Sequence, residues 1–197
     1  MALLAVSLWP LPVLQVVSGQ RSDGPAVPLY EAPLLPGASF GVRYLHSIFG
    51  APVEERLRIA PGGFALVEVI STTERIDGYY AFPHGRLEAS GGRYRLVPAG
   101  DPIVRAPVRM RATALGRRSL VVGGHCVSLA ALGDVVELGW RRVPSARWLY
   151  SVLRQTLPGK DVLSTCPVPA IAATLTKGST KAPSPTENNW TSGKSRS

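Results

Sequence analysis

The sequence predicts an all-β protein, an antiparallel sandwich or barrel of short strands with one short C-terminal helix and a disordered tail. Three observations favour this fold class. The 197 residues include 20 glycines and 18 prolines, a content typical of chains with many turns. Between residues 13 and 143, short apolar runs are interrupted by turn residues about every 8 to 12 positions. No long helical period precedes residue 144.

The strand candidates follow one another almost without a gap. In chain order they are VLQVVS, AVPLYEA, SFGVRYLHSI, VEERLRIA, FALVEVIST, GYYAF, GRLEAS, RYRLVPA, VRAPVRMRATAL, SLVVGG, HCVSLAAL and DVVELGWRRV. Breaks such as LLPGA, FGAP, APGG and SGGR supply the residues that turns require. The glycine pairs at 62–63, 91–92 and 123–124 fall between strands, so we expect them in hairpin turns. None opens a helix, as a phosphate-binding loop would.

The chain divides into four segments. Residues 1–12 are apolar and uncharged, which is typical of the core of a signal peptide or a membrane anchor, although the basic n-region is missing. One interpretation is that the natural start lies a few residues upstream; a buried first strand, VLQVV, is the alternative for the end of this run. Residues 13–143 are the all-β domain. An apolar stripe predicts a helix over 144–158, and residues 159–197, rich in Ser, Thr and Pro, are predicted to be mostly disordered.

The formal net charge of +9 is spread along the strands. Arginines that alternate with apolar residues are typical of a solvated sheet face, and attraction to anionic lipid is the main alternative. The sequence has no recognition helix, zinc-finger spacing or aromatic RNA-binding motif, so we expect no nucleic-acid partner.

Cys126 lies in a strand-like run and Cys166 in the predicted tail, so we expect no native disulfide. The cysteine content therefore does not indicate the cellular compartment.

The run RYLHSIFGAPVEERLRI, residues 43–59, carries the most chemistry. Side chains alternate between the two faces of a strand, so His46 shares the apolar face of the first strand and Glu55 that of the second. A four-residue loop, Phe49 to Pro52, would place His46 directly opposite Glu55. Glu54 would then point into solvent.

Two interpretations of the predicted pair stay open. His46 and Glu55 either form a structural ion pair that fixes the hairpin register, or they border a ligand pocket together with Ser47 and Tyr79 or Tyr80. Two such side chains are too few for a metal site, and we expect no metal and no cofactor. Ser47 directly follows His46 and points to the opposite face, so we assign no catalytic residue.

The run F-x-V-x-Y-x-H-S…P-V-E-E resembles the signature of DUF1850, a family of bacterial domains, and LPVLQVV, TTERIDGYYAF and GRRSLVVGGHCVSLAALG fit the same family in order. The resemblance covers roughly residues 10 to 143. It implies an exported or membrane-anchored all-β domain, periplasmic or otherwise extracytoplasmic, encoded near TRAP transporters of the TAXI class. It also implies that His46, Ser47 and Glu55 are the motif residues, supported by Tyr79 and Tyr80.

The expected function is therefore an envelope-associated accessory of a TAXI-type TRAP transporter. Such a module would bind the membrane subunits, the solute-binding protein or the solute itself, and its N-terminus would associate with the membrane. The alternative is a small secreted hydrolase or lyase that uses His46 as a base and Glu55 to orient it.

Overall fold

A computed structural model describes residues 10–20 and 27–148 of the chain. In this part the chain forms antiparallel β-sheets, which confirms the predicted all-β class. The strands are β1 (Pro10–Ser18), β2 (Pro28–Pro33), β3 (Ser39–Leu45), β4 (Pro52–Ala60), β5 (Gly63–Ser71), β6 (Arg86–Ser90), β7 (Arg93–Val97), β8 (Ile103–Arg105), β9 (Val108–Arg111), β10 (Ser119–Val122), β11 (His125–Ser128) and β12 (Val135–Pro144). A short helix, α1 (Ile76–Tyr80), follows β5, and a 3-10 turn (Leu129–Ala131) follows β11.

The strands form two sheets. The smaller sheet has the order β2-β1-β12-β9, and the larger has the order β11-β10-β3-β4-β5-β7-β6, with β8 paired to β5. β1 and β12 pair along the whole of β1, from Pro10 opposite Pro144 to Ser18 opposite Val136. The first and last strands of the domain therefore form the centre of the smaller sheet.

Apolar side chains from both sheets meet in one core. Leu14, Val16 and Leu138 come from the smaller sheet, and Phe40 and Phe64 come from the larger one. Each of these side chains is at most 2% exposed. The two phenylalanine rings meet edge to face with their centroids 5.3 Å apart. Burial of a side chain of this size stabilises a fold by about 1.5–3 kcal/mol, so this layer holds the sheets together.

Two of the three predicted glycine turns, 91–92 and 123–124, are confirmed. The third is wrong in part, because Pro61 and Gly62 form the turn and Gly63 is already the first residue of β5. In the β6–β7 hairpin, Gly91 and Gly92 have φ values of 56° and 73°, and in the β10–β11 hairpin, Gly123 and Gly124 have φ values of 57° and 84°. Two-residue hairpin loops whose twist matches that of the strands need positive φ at both positions, which glycine adopts without strain.

Two predicted strands are wrong. The run GYYAF is not a strand, because residues 76–80 form α1, which buries Ile76 completely and packs Tyr80 against the core four residues later. The single strand predicted over VRAPVRMRATAL is two strands in different sheets, with β8 beside β5 and β9 beside β12. Pro107 lies between the two strands, where its missing backbone N–H removes no hydrogen bond from either strand ladder.

The ends of the domain differ in part from the prediction. β1 begins at Pro10, so the last three residues of the predicted export segment 1–12 belong to the smaller sheet, while residues 1–9 lie outside the described part. Residues 145–148 are helical, at the start of the helix predicted over 144–158. The rest of that helix and the predicted tail 159–197 lie outside the described residues. Within residues 10–20 and 27–148, no helix combines the length and the apolar character that a membrane span requires.

The expectation that the cysteines are unpaired is wrong. Cys126, in β11, is disulfide-bonded. The only other cysteine of the sequence is Cys166, which lies outside the described residues.

Candidate functional site

The β3–β4 hairpin is shifted by four residues from its predicted register. Val42 lies opposite Glu55, and Leu45 lies opposite Pro52 as the last pair of the ladder. Residues 46–51 therefore form the loop, which is longer than the predicted four residues. His46 lies in this loop and not opposite Glu55, so the predicted cross-strand pair is wrong.

Two backbone hydrogen bonds explain the longer loop. The amide of His46 donates to the carbonyl of Ala51 (2.9 Å), and the amide of Gly50 donates to the carbonyl of His46 (2.8 Å). These bonds close a compact turn whose tip is Ile48. The side chain of Ile48 is 71% exposed.

Because the shift is an even number of residues, the side chains keep their predicted faces. Tyr44 and Glu55 point into the sandwich, and Glu54 points outward. However, Glu54 is not solvated as predicted, since it is only 4% exposed. The guanidiniums of Arg43 (2.6 Å) and Arg56 (2.9 Å) cover its carboxylate. Burial alone would raise the pKa of Glu54, but hydrogen bonds from Arg56 and Arg43 hold that pKa below its usual value.

A cavity of about 990 Å³ opens between the two sheets. Its walls come from β3, β4 and β5 of the larger sheet, from β9 and β12 of the smaller sheet, and from α1 and the loop that precedes β10. All five residues singled out in the sequence line it: His46, Ser47, Glu55, Tyr79 and Tyr80. The fold therefore brings the predicted pocket residues together, although not through the predicted contact between His46 and Glu55.

Among the residues that the structure describes, Glu55 is the only carboxylate that lines this cavity. Its Oε1 accepts hydrogen bonds from the hydroxyls of Tyr44 (2.9 Å) and Tyr80. The two hydroxyls also contact each other at 2.8 Å. An ionised carboxylate leaves two hydroxyl protons for these three contacts, so two of the three are hydrogen bonds at any moment. Burial, followed by the negative charge of Glu55, raises the pKa of both tyrosines, which therefore stay neutral donors.

His46 belongs to an aromatic cluster at the mouth of the cavity. Its ring stacks on Phe49 and meets the edge of Tyr79, with both centroid distances 4.4 Å. Its Nδ1 accepts a hydrogen bond from the amide of Ile48 (3.3 Å), which requires a neutral ring with the proton on Nε2. Burial lowers the pKa of His46, and the charge of Glu55 only partly offsets this effect. His46 is thus a neutral, packed side chain.

The other predicted residues lie at the rim. Tyr79 is 53% exposed, and Ser47 is also exposed. No hydrogen bond joins His46 to Ser47 or to Glu55 within the described residues, so the couple that the hydrolase alternative needs is not formed. Nor does the described part of the chain contain a group of three or more His, Cys, Asp or Glu side chains that could hold a metal ion.

Sequence reasoning missed the basic side of the cavity. Arg109 and Arg111 reach it from β9, and Arg118 reaches it from the loop before β10. The guanidinium of Arg118 lies over the ring of Tyr44, 5.3 Å from its centroid. No local pattern points to these arginines, because their approach depends on the packing of two sheets. Tyr44 could have been identified from the sequence, because strand alternation places it on the same face as His46, one of the predicted pocket residues.

The arginines of the outer face behave differently. The predicted solvated face is a chain of ion pairs that crosses five neighbouring strands of the larger sheet. In order across the sheet, the chain runs through Arg43, Glu54, Arg56, Glu68, Arg95, Glu88 and Arg86. Charges on this face are largely neutralised by one another.

The chain matches no protein-family model, no curated protein and no solved structure. The resemblance to DUF1850 therefore stays a prediction that rests on the sequence motifs.

Proposed function

We propose that this protein is an extracytoplasmic binding module that takes a small solute into the cavity between its sheets, as an accessory of a TAXI-type TRAP transporter. The cavity carries this proposal. It has the size of a small-molecule site, mixes apolar walls with a few polar groups, and gathers every residue that the motif singled out. The motif resemblance supports the transporter as the partner.

The state of the polar groups supports binding as opposed to turnover. Glu55 holds two neutral tyrosine hydroxyls, and His46 is fixed by its stacking contacts and by the amide of Ile48. A general base would need to reach a substrate proton or an activated nucleophile, and Ser47 is not connected to either group. These side chains are arranged to shape and orient a ligand.

The disulfide at Cys126 supports an extracytoplasmic location, because stable disulfides persist mainly in oxidising compartments.

The position of β1 supports attachment to the membrane through the N-terminus in an orientation that leaves the cavity accessible. β1 spans nine residues, about 30 Å. Its C-terminal end adjoins the cavity, where Arg109 donates to the carbonyl of Gly19 (2.8 Å), and its N-terminal end at Pro10 lies away from it. An apolar anchor before Pro10 would leave the cavity facing away from the membrane.

Thermal shift with a broad panel of solutes tests the binding role. We expect at least one small polar solute to stabilise the full chain, and we expect Thr113→Trp to abolish this effect, because Thr113 is exposed at the cavity wall. Thr72→Trp is the matched control, since Thr72 is exposed but does not line the cavity. A panel without any stabilising solute would refute the proposal.

Co-expression with TAXI-type membrane subunits tests the partner. We expect the chain to co-elute with the membrane subunits or with the solute-binding protein after extraction in mild detergent. Solute binding without co-elution would refute the transporter role and leave the binding role in place.

A further inference from the structure

We propose that the solute is a small ampholyte that carries both a carboxylate and an ammonium group, namely an amino acid or a short peptide. This inference rests on the proposed function, because it assigns a ligand class to the same cavity. It follows from how the cavity separates its charges.

The negative end of the cavity has an unused oxygen. Both tyrosine hydroxyls donate to Oε1 of Glu55, and Oε2 has no hydrogen-bond partner among the described residues. No buried side-chain nitrogen or oxygen in the described part lacks a partner, so Oε2 is accessible from the cavity. An ammonium group would supply the charge and the donors that this oxygen can accept.

The positive end has unpaired guanidiniums. Within the described part, Arg109, Arg111 and Arg118 form no ion pair with a carboxylate, in contrast to the paired arginines of the outer face. Arg109 donates to the carbonyl of Gly19 through one nitrogen, and Arg118 lies over Tyr44. Their remaining N–H groups suit a carboxylate, which arginine binds with two parallel hydrogen bonds.

Tyr44 connects the two ends. Its hydroxyl donates to Glu55, while Arg118 lies over its ring, so opposite charges are held at two positions on one side chain. A ligand with only a carboxylate would face repulsion from Glu55. A ligand with only an ammonium group would face three guanidiniums. An ampholyte pairs both ends, and the volume of about 990 Å³ leaves room for its side chain or for a second residue.

Matched probes test this inference by isothermal titration calorimetry on the full chain. L-phenylalanine is compared with 3-phenylpropionate, which lacks the ammonium group, and with phenethylamine, which lacks the carboxylate. L-leucine is compared with 4-methylpentanoate, which lacks the ammonium group, and with 3-methylbutylamine, which lacks the carboxylate. We expect at least one of the two amino acids to bind ten or more times more tightly than both of its analogues.

Two variants assign the ends. Glu55→Gln should weaken binding of the amino acid about tenfold and leave binding of the carboxylate-only analogue unchanged or stronger. Arg118→Gln should weaken the amino acid and the carboxylate-only analogue and leave the amine unchanged. Glu74→Gln and Arg117→Gln are the controls, since both side chains are exposed and neither lines the cavity, and they should change nothing.

The outcomes separate this inference from the proposed function. If neither amino acid binds more tightly than both of its analogues, the ampholyte inference is overturned while the binding role stands. Equal weakening by Arg118→Gln and Arg117→Gln would also overturn it. Failure of every solute in the broad panel would overturn the binding role itself.

Discussion

Glu54 and Glu55 are neighbours in one strand, yet their carboxylates lie on opposite faces of the larger sheet and have different kinds of hydrogen-bond partner. On the outer face, two guanidiniums pair with the carboxylate of Glu54, one from Arg43 on the neighbouring strand β3 and one from Arg56 on β4 itself. On the inner face, Glu55 receives two neutral hydroxyls on a single oxygen. Both charged partners of the Glu54 carboxylate are side chains of the protein, whereas Glu55 has only neutral partners and one oxygen without a hydrogen bond in the described part.

The arginines repeat this contrast. Arg56 bridges Glu54 and Glu68 on the outer face, while Arg118 reaches the inner cavity without a carboxylate partner in the described part. Paired charges fix the arrangement of strands, and unpaired charges of both signs around a cavity can recognise a ligand. Adjacent charged residues can therefore be assigned different roles: a structural role where an oppositely charged side chain pairs with the residue, and a binding role where the charge faces the cavity without such a partner in the described part.

The largest expected effect is that of Glu54→Ala. Removal of this carboxylate leaves Arg43 and Arg56 without their shared partner on a buried part of the sheet. We expect the free energy of unfolding to fall by about 3 kcal/mol, the lower end for broken buried pairs, because Arg56 is partly hydrated. Urea denaturation measures this change. Glu74→Ala, at an exposed position, is the control and should cost under about 0.5 kcal/mol.

A loss under about 0.5 kcal/mol for Glu54→Ala would contradict the assignment of a structural role to the outer face. It would instead agree with the solvated Glu54 that the sequence predicted.

Glu55→Ala is expected to cost less, about 1–2 kcal/mol in the same assay. The hydroxyls of Tyr44 and Tyr80 lose their charged acceptor, but they keep each other at 2.8 Å and can donate into the cavity. A loss as large as that of Glu54→Ala would mean that Glu55 is a second structural anchor. The comparison between the two faces would then fail.

The sequence predicted the strand faces but not the register, and the reason is physical. Strand parity follows from alternating side chains, so the inward positions of Tyr44 and Glu55 could be derived from the pattern alone. Register depends on the loop, and the backbone bonds that His46 makes with Ala51 and Gly50 are not visible in residue types. A plausible four-residue turn therefore gave the wrong partner for His46.

The candidate site was predicted in part for the same reason. His46 and Glu55 could be grouped because strand alternation placed both on apolar faces, and the family resemblance added Ser47, Tyr79 and Tyr80. Arg109, Arg111 and Arg118 could not be grouped, since they approach from another sheet and a distant loop. The burial of Glu54 was also missed, because two flanking arginines can cover a carboxylate that parity places outside.

A smaller effect is expected from acid at the mouth of the cavity. The pKa of His46 is below its ordinary value of about 6.5 in the folded chain, so between these two values the unfolded chain binds more protons. Stability from this group is complete above about pH 6.5 and falls as the pH drops through the window below it. Urea denaturation at stepwise lower pH should show this slope, and His46→Asn should remove it.

Glu54 provides the internal reference for this measurement. Its folded pKa is also lowered, so its contribution is present above the unfolded value of about 4.3 and is lost only in stronger acid. The slope that begins near pH 6.5 should therefore survive Glu54→Ala. If His46→Asn leaves that slope unchanged, His46 is charged in the folded chain and the packed neutral ring is wrong.

The smallest effect is expected where the outer face meets solvent. Arg58 pairs with Asp101, but their side chains are 43% and 55% exposed, so water already solvates both charges. We expect Arg58→Ala to cost under about 0.5 kcal/mol, and a double-mutant cycle with Asp101→Ala to give a coupling energy of similar size. The same cycle on Arg43 and Glu54 should give a clearly larger coupling, since those side chains are 14% and 5% exposed. Equal coupling energies would mean that buried and exposed ion pairs contribute alike to stability. The presence of a buried ion pair could then not be used to assign a structural role to a charged residue.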